Sequence, residues 1–122
     1  MFATTDMPAF WRRMFGDPFT QPERYLANSP DKHVARISTP MLIIHGDKDY
    51  RVPIGEALAL WWDLVAAWDG DPAELPHRFL YFPDENHWVL APQHAVLWYE
   101  TVLAFLDHHV RGRDWVVPDL LR

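Results

Sequence analysis

The stretch TPMLIIHGDKDYRVP, residues 39–53, decides the fold. It begins with a short continuous apolar run, residues 41–44, which is bounded by Pro40 and by the polar residues that start at His45. Such a run is typical of a strand that is covered on both faces, as in parallel sheets. The polar residues then follow the carboxyl end of that strand, where open α/β sheets place their chemistry.

Downstream of this strand, the sequence predicts a helix, a second strand and a second helix. Pro53 opens the first helix and Gly70 closes it, with apolar positions at 54, 57, 58, 61, 65 and 68. The aromatic run at residues 78–82 predicts a strand that stops at Pro83. Pro92 opens a longer helix that ends at Gly112, and its apolar stripe is Ala95, Tyr99, Val102, Leu103, Leu106 and Val110. This order predicts a parallel strand pair joined by a right-handed crossover.

Residues 1–38 have no clean period and are predicted to form an irregular, partly helical lead-in, with a short helix at 22–27. We expect residues 39–122 to form the α/β unit. Two parallel strands cannot cover a strand that is buried on both faces, and the lead-in offers no further strand. The chain is therefore expected to be the end of a larger sheet.

The composition of the 122 residues excludes several classes of protein. An apolar content of 49% and an aromatic content of 15% predict one folded domain with a core. The net charge of −6 argues against nucleic-acid binding. No apolar stretch approaches the ~18 residues of a membrane span, and no signal peptide is evident, so a cytoplasmic location is expected. The absence of cysteine excludes disulfides and a cysteine nucleophile.

Two loops at the ends of the predicted strands carry the candidate chemistry. Asp49 lies in the first loop, which we call the Asp loop, and His87 lies in the second, the His loop, which contains PDENHW at residues 83–88. An Asp that accepts a hydrogen bond from a His ring fixes its tautomer, and the ring then serves as a general base. In the alternative, Asp49 caps the helix that Pro53 opens and His87 is a solvated surface residue. The spacing alone leaves both interpretations open.

The two segments that hold these loops, TPMLIIHGDKDYRVP and RFLYFPDENHWVLAPQHAVLWYETVLAFLDHHV, together resemble part of a known family. They are similar to the C-terminal end of the catalytic domain of prolyl oligopeptidase family serine peptidases, which include acylaminoacyl peptidases and dipeptidyl aminopeptidases. The resemblance covers residues 39–110 and, more weakly, 19–38. It implies an α/β-hydrolase fold and a Ser–Asp–His triad without a cofactor. The triad Asp of the family matches Asp49 rather than Asp47, and the triad His matches His87.

The nucleophile of that family has no counterpart in this sequence. It lies in a Gly-x-Ser-x-Gly turn, whereas neither Ser29 nor Ser38 has a glycine two residues away. Ser38 also leads into the first strand from its amino end, which is the wrong edge of the sheet for an active site. We therefore expect residues 1–122 alone not to hydrolyse peptides at a useful rate.

Three accounts of this sequence remain open. The first is a C-terminal piece of a larger serine peptidase that acts on peptide or acyl-peptide substrates. The second is one half of a split enzyme, whose complementary chain carries the serine. The third is a non-catalytic interaction module that uses its exposed sheet edge. Esterase chemistry is the nearest enzymatic alternative, because the fold does not choose the leaving group.

Other polar and aromatic residues near the two loops are predicted to be structural. The histidines lack metal-ligand spacing, so no metal site is expected. His45 is expected to support the Asp loop, and Trp88 either walls the site or packs. Turn roles are expected for Asp47, Asp84 and Glu85, and Tyr50 and Arg51 are expected only to shape their loop.

Overall fold

The computed structural model describes residues 3–121. Three helical segments come first, α1 (Pro8–Phe15), α2 (Pro22–Ala27) and a 3-10 helix at Pro30–Arg36. The α/β part follows with β1 (Leu42–Gly46), α3 (Ile54–Ala67), β2 (Arg78–Phe82) and α4 (Pro92–Arg111). Short 3-10 turns lie at Pro72–Glu74 and Asp119–Leu121. None of these described helices is both long enough and apolar enough to cross a membrane.

The two strands pair in parallel, as the order of elements predicts. Leu42 lies opposite Arg78, and Gly46 lies opposite Phe82. This register brings the carboxyl ends of both strands to one edge of the sheet. The loop after β1 is joined to the end of β2 by a backbone hydrogen bond of 2.9 Å, which Asp47 donates to the carbonyl of Phe82. The sheet has no third strand within residues 3–121.

The predicted strands and helices differ in how closely they match the structure. The second strand and α2 have the predicted bounds, whereas β1 lies slightly downstream of the predicted apolar run and includes His45 and Gly46. Helix α1 was not predicted. Its boundaries follow from Pro8 in its first turn and from Gly16, which ends it with a φ of 82°.

One core cluster lies between α3 and the sheet, and a second, formed by Leu80, Phe82 and Leu97, lies between the sheet and α4. Leu64, which is 2% exposed, packs with Ile43, Ala57 and Val34 of the 3-10 helix. The predicted stripe of α3 is partly wrong, because Leu58 is 48% exposed and Leu64 takes its place facing the sheet. The helix also ends at Ala67, before the predicted stop at Gly70.

Helix α4 has the predicted bounds, and Gly112 ends it in the left-handed conformation with a φ of 66°. The predicted apolar stripe nevertheless faces away from the core. The buried residues of α4 are Leu97, Thr101 and Phe105, whereas Leu103 and Val110 of the predicted stripe are exposed. Helix α4 is apolar on two sides, and periodicity cannot decide which side covers the sheet. The structure therefore leaves one apolar face of α4 uncovered by residues 3–121.

Candidate active site

Asp49 lies in the turn that follows β1, and its side chain is 6% exposed. Its Oδ1 accepts hydrogen bonds from the backbone amides of Arg51 at 2.8 Å and Val52 at 2.9 Å. These bonds form the local side-chain turn that Asp favours and aim the second oxygen, Oδ2, out of the loop. The residue that precedes α3 is Pro53, and no side chain caps this helix. The alternative role of Asp49 as a helix cap is therefore wrong.

His87 lies opposite this carboxylate, although the two residues are 38 positions apart in the chain. Its Nδ1 is 2.9 Å from Asp49 Oδ2. A carboxylate only accepts hydrogen bonds, so we assign the ring hydrogen to Nδ1. The neutral ring in this tautomer keeps a lone pair on Nε2. Because 42% of the His87 side chain is exposed, that nitrogen is accessible to a reacting group.

The surroundings of Asp49 favour its ionised form. Burial raises the pKa of the carboxyl, but the hydrogen bonds from His87, Val52 and Arg51 outweigh burial and leave the pKa below its ordinary value. His45 lies on the other side of the carboxylate, with its Nε2 3.4 Å from Asp49 Oδ2 and 2.7 Å from the carbonyl of Val52. His45 therefore supports the Asp loop at both ends, as expected from its position.

The lowered pKa of Asp49 predicts an acid-sensitive contribution to stability. Asp has a pKa of ~3.9 in an unfolded chain. A lower pKa in the folded chain stabilises the fold, and this contribution is fully present at every pH above ~3.9. This contribution is lost as the pH falls through the folded-state pKa. We expect the stability difference between wild type and Asp49→Asn, measured by thermal unfolding, to shrink below pH ~4. A difference that stays constant down to pH ~2 contradicts the prediction.

The two loops approach each other closely at Gly46. A Cβ atom on this residue would lie 2.5 Å from the backbone oxygens of both Glu85 and Asn86. Only glycine permits this approach without a shift of the backbone. We expect Gly46→Ala to push the His loop away from the Asp loop and to break the contact between His87 and Asp49.

The Gly46→Ala prediction can be checked by NMR of the imidazole nitrogens, which reports the hydrogen on Nδ1 of His87. Gly55→Ala is the matched control, because nothing lies within 4 Å of a Cβ added there. Gly55→Ala should retain the His87 signal of the wild type. The prediction is wrong if Gly46→Ala retains it as well.

The chain's N-terminal residues brace the Asp loop, a role that the sequence did not indicate. Asp6 forms a two-pronged ion pair with Arg51, at 2.7 and 3.2 Å, and its amide donates to the carbonyl of Tyr50 at 2.7 Å. The hydroxyl of Thr5 donates to the carbonyl of Arg51 at 2.7 Å. These partners are separated by about 45 positions and follow no periodic pattern, so only the fold brings them together.

His87 opens onto a cavity of about 410 Å³ beside β1. Trp88, which is 69% exposed, contacts the His87 ring edge-on with 5.9 Å between ring centres. It therefore walls the cavity. The other lining residues are Ile44, His45, Gly46, Asp49, Asn86, Val89, Ala95, Trp98 and Tyr99.

The two serines of the chain do not line this cavity. Ser29 precedes the 3-10 helix, and Ser38 precedes β1, at the strand end opposite to Asp49. Within residues 3–121, no three histidine, aspartate or glutamate side chains cluster as metal ligands would.

Parallel strands with flanking helices, and an Asp and a His in neighbouring loops at the strand ends, are features of the C-terminal part of an α/β-hydrolase domain. The comparisons with known proteins identify the family to which the chain belongs. The model of the prolyl oligopeptidase family matches residues 1–113. The chain therefore belongs to the prolyl oligopeptidase family of serine peptidases.

Relatives of known name agree with this assignment. Dipeptidyl-peptidase 5 of Porphyromonas gingivalis is 36% identical over 118 residues, which cover 90% of this chain and 16% of that protein. The probable dipeptidyl-peptidase 5 of Aspergillus clavatus is 36% identical over 109 residues, which cover 87% of this chain and 14% of that protein. The chain therefore spans only about a sixth of the length of these relatives.

A solved structure shows the same fold. The crystal structure of puromycin hydrolase superposes on 94% of this chain with a TM-score of 0.75 and 24% identity. The match covers 17% of that chain. The α/β-hydrolase fold predicted from the sequence is confirmed.

Proposed function

We propose that this chain supplies the Asp and the His of a Ser–Asp–His triad that hydrolyses peptide or acylaminoacyl bonds. His87 acts first as general base and then as general acid, and Asp49 orients the ring and stabilises the imidazolium. The serine, which forms the acyl-enzyme, lies outside these 122 residues. It is supplied by the remainder of a larger peptidase or by a complementary chain. We call this chain together with the polypeptide that carries the serine the serine-bearing assembly.

One observation carries the proposal, the 2.9 Å contact between His87 Nδ1 and the buried Asp49 Oδ2. A histidine that is only a solvated surface residue does not normally contact a carboxylate that is almost fully buried. The contact occupies Nδ1 of the ring. The other ring nitrogen, Nε2, has no hydrogen-bond partner among the described residues. A serine hydroxyl that entered the adjacent cavity could therefore donate its proton to Nε2.

The free edge of β1 offers a place for the polypeptide that carries the serine. Next to the cavity lies an apolar groove of about 520 Å³, lined by Leu42, Ile44, Trp98, Val102, Phe105 and Leu106. The groove and the cavity share Ile44 and Trp98, so they form one continuous surface beside β1. A further parallel strand along this edge would satisfy the open backbone groups of β1. The loop after such a strand would lie at the same edge of the sheet as Asp49 and His87.

The exposed face of α4 supports the same arrangement. Tyr99, Leu103 and Val110 are between 61% and 74% exposed, and they belong to the stripe that the sequence predicted to be buried. Exposed apolar side chains that lie together on one helix face mark a contact with another protein segment. Its position beside the groove favours a partner that also pairs with β1.

A peptide substrate is favoured over a simple ester by the relatives, which are named as dipeptidyl-peptidases. A non-catalytic interaction module is the second candidate function. It is favoured by the same free strand edge and exposed helix face, which bind a partner whether or not that partner carries a serine.

Labelling with a fluorophosphonate probe, which reacts with activated serines, distinguishes these functions. A tag is added to the chain's own coding sequence in its native cell, the extract is labelled, and the tagged species is captured under non-denaturing conditions. We expect the capture to contain a labelled serine, either in a larger polypeptide or in a companion chain. The purified chain of 14.4 kDa should remain unlabelled and should not hydrolyse chromogenic aminoacyl substrates.

Either of two outcomes contradicts the proposal. One is a tagged species that is captured without a labelled serine, either in its own polypeptide or in a companion. The other is a companion whose labelling is unchanged by His87→Ala, which shows that its serine is activated by other residues. This second outcome favours the interaction module.

A further inference from the structure

Glu85 is a buried carboxylate in the His loop that the proposed chemistry does not use. It is 5% exposed, which is unusual for a glutamate unless its oxygens are paired. Its Oε2 accepts a hydrogen bond from the amide of Leu90 at 3.0 Å. Its Oε1 accepts bonds from the amide of Ala91 at 3.0 Å and from His94 Nδ1 at 2.7 Å. The sequence indicated only a turn role for this residue.

These bonds close the His loop on itself. Glu85 is near the start of the loop, and Leu90 and Ala91 are at its end, so the carboxylate ties together the segment that carries His87. The amides that it binds precede Pro92, the first residue of α4. Glu85 therefore fixes the loop and does not cap the first turn of the helix.

Both sides of Glu85 are anchored to rigid parts of the fold. Its backbone carbonyl accepts a hydrogen bond of 2.9 Å from the amide of Lys48 in the Asp loop. On the other side, the ring of His94 lies 5.1 Å from that of Phe82, which is 2% exposed at the end of β2. The hydrogen bonds from Leu90, His94 and Ala91 also outweigh burial and hold the pKa of Glu85 below its ordinary value. Near neutral pH, the residue is therefore an ionised acceptor.

We propose that Glu85 is a positioning residue, which holds the His loop closed so that the His87 ring meets Asp49. This inference rests on the proposed function, since it concerns the geometry of the same pair. Glu85 does not touch the reacting atoms. It acts through the backbone between residues 85 and 91, which leaves the His87 ring little freedom to turn away from Asp49.

The tautomer of His87 tests this role directly. In the chain labelled with ¹⁵N-histidine, long-range proton–nitrogen NMR at pH ~8 distinguishes hydrogen on Nδ1 from hydrogen on Nε2, because histidine rings are then mostly neutral. We expect the wild type to hold His87 in the Nδ1–H form. In Glu85→Ala, the ratio of the Nδ1–H to the Nε2–H form should fall about tenfold, as expected when a hydrogen bond to a charged group is weakened.

Matched variants separate positioning from a general loss of structure. Glu100→Gln alters an exposed glutamate on α4 and should leave the His87 ratio unchanged. Glu85→Gln keeps one acceptor oxygen and should give an intermediate ratio. If circular dichroism shows that Glu85→Ala does not fold, Glu85→Gln is the deciding variant. A His87 tautomer ratio in Glu85→Gln equal to that in Glu100→Gln then overturns the proposal.

The result also separates this inference from the proposed function. A wild-type chain in which His87 lacks the Nδ1–H form overturns both. A wild-type ratio that persists in folded Glu85→Ala overturns only the positioning role. Failure of fluorophosphonate labelling, with the expected ratios intact, overturns the proposed catalysis and leaves the positioning role standing.

Discussion

We expect His87→Ala to lower the kcat of the serine-bearing assembly by about 10⁶-fold, the loss typical when a triad base is removed. Without the ring, the serine hydroxyl loses the base that takes its proton as it attacks, and the leaving amine loses the acid that returns it. The same loss applies to acylation by a fluorophosphonate. The side chain is 42% exposed, so its removal leaves no large void in the core. We therefore expect the variant to keep the thermal stability of the wild type to within a few degrees.

The measurement is steady-state hydrolysis of an aminoacyl or dipeptidyl substrate by the captured assembly, with its concentration determined by quantitative amino-acid analysis. His33→Ala is the matched control, because His33 is an exposed histidine on the 3-10 helix at Pro30–Arg36. It should retain full activity. A kcat for His87→Ala within tenfold of the control shows that another residue is the base.

The parallel pair and the position of the site could be predicted because they depend on chain order. A short apolar run, a crossover helix and a second run predict that two strands pair in parallel. Parallel pairing places both following loops at one edge, which is why Asp49 and His87 are neighbours although they are 38 positions apart in the chain. The family resemblance then selected Asp49 over Asp47. In the structure, Asp49 is the buried residue of the two.

What could not be predicted depends on contacts that follow no periodic pattern in the sequence. Glu85 is indistinguishable in sequence from an exposed turn residue, and its burial follows from the amides at the far end of its own loop. Asp6 and Arg51 meet only after the lead-in folds across the Asp loop. The face of α4 that covers this sheet could not be predicted for a different reason, since an apolar stripe indicates burial but does not name the partner that covers it.

Asp49→Asn is expected to reduce kcat by about 10⁴-fold, less than the loss of the base but still large. The Asn side chain can still accept hydrogen bonds from the amides of Arg51 and Val52 through its oxygen. It then turns an NH₂ group toward His87, and this group can only donate. The His87 ring must then accept at Nδ1 and carry its hydrogen on Nε2. In that tautomer the ring has no lone pair for the serine proton.

The double variant Asp49→Asn/His87→Ala tests whether the two residues act as one unit. Asp49 works only through the His87 ring, so the double variant should lose about 10⁶-fold in kcat, the same as His87→Ala alone. Independent contributions would multiply to a loss of about 10¹⁰-fold. Asp47→Asn serves as the control because Asp47 is an exposed carboxylate in the same loop, and it should leave kcat unchanged. Activity of Asp49→Asn close to that of the control contradicts the proposed roles of Asp49 and His87, since a ring with its hydrogen on Nε2 cannot act as the base.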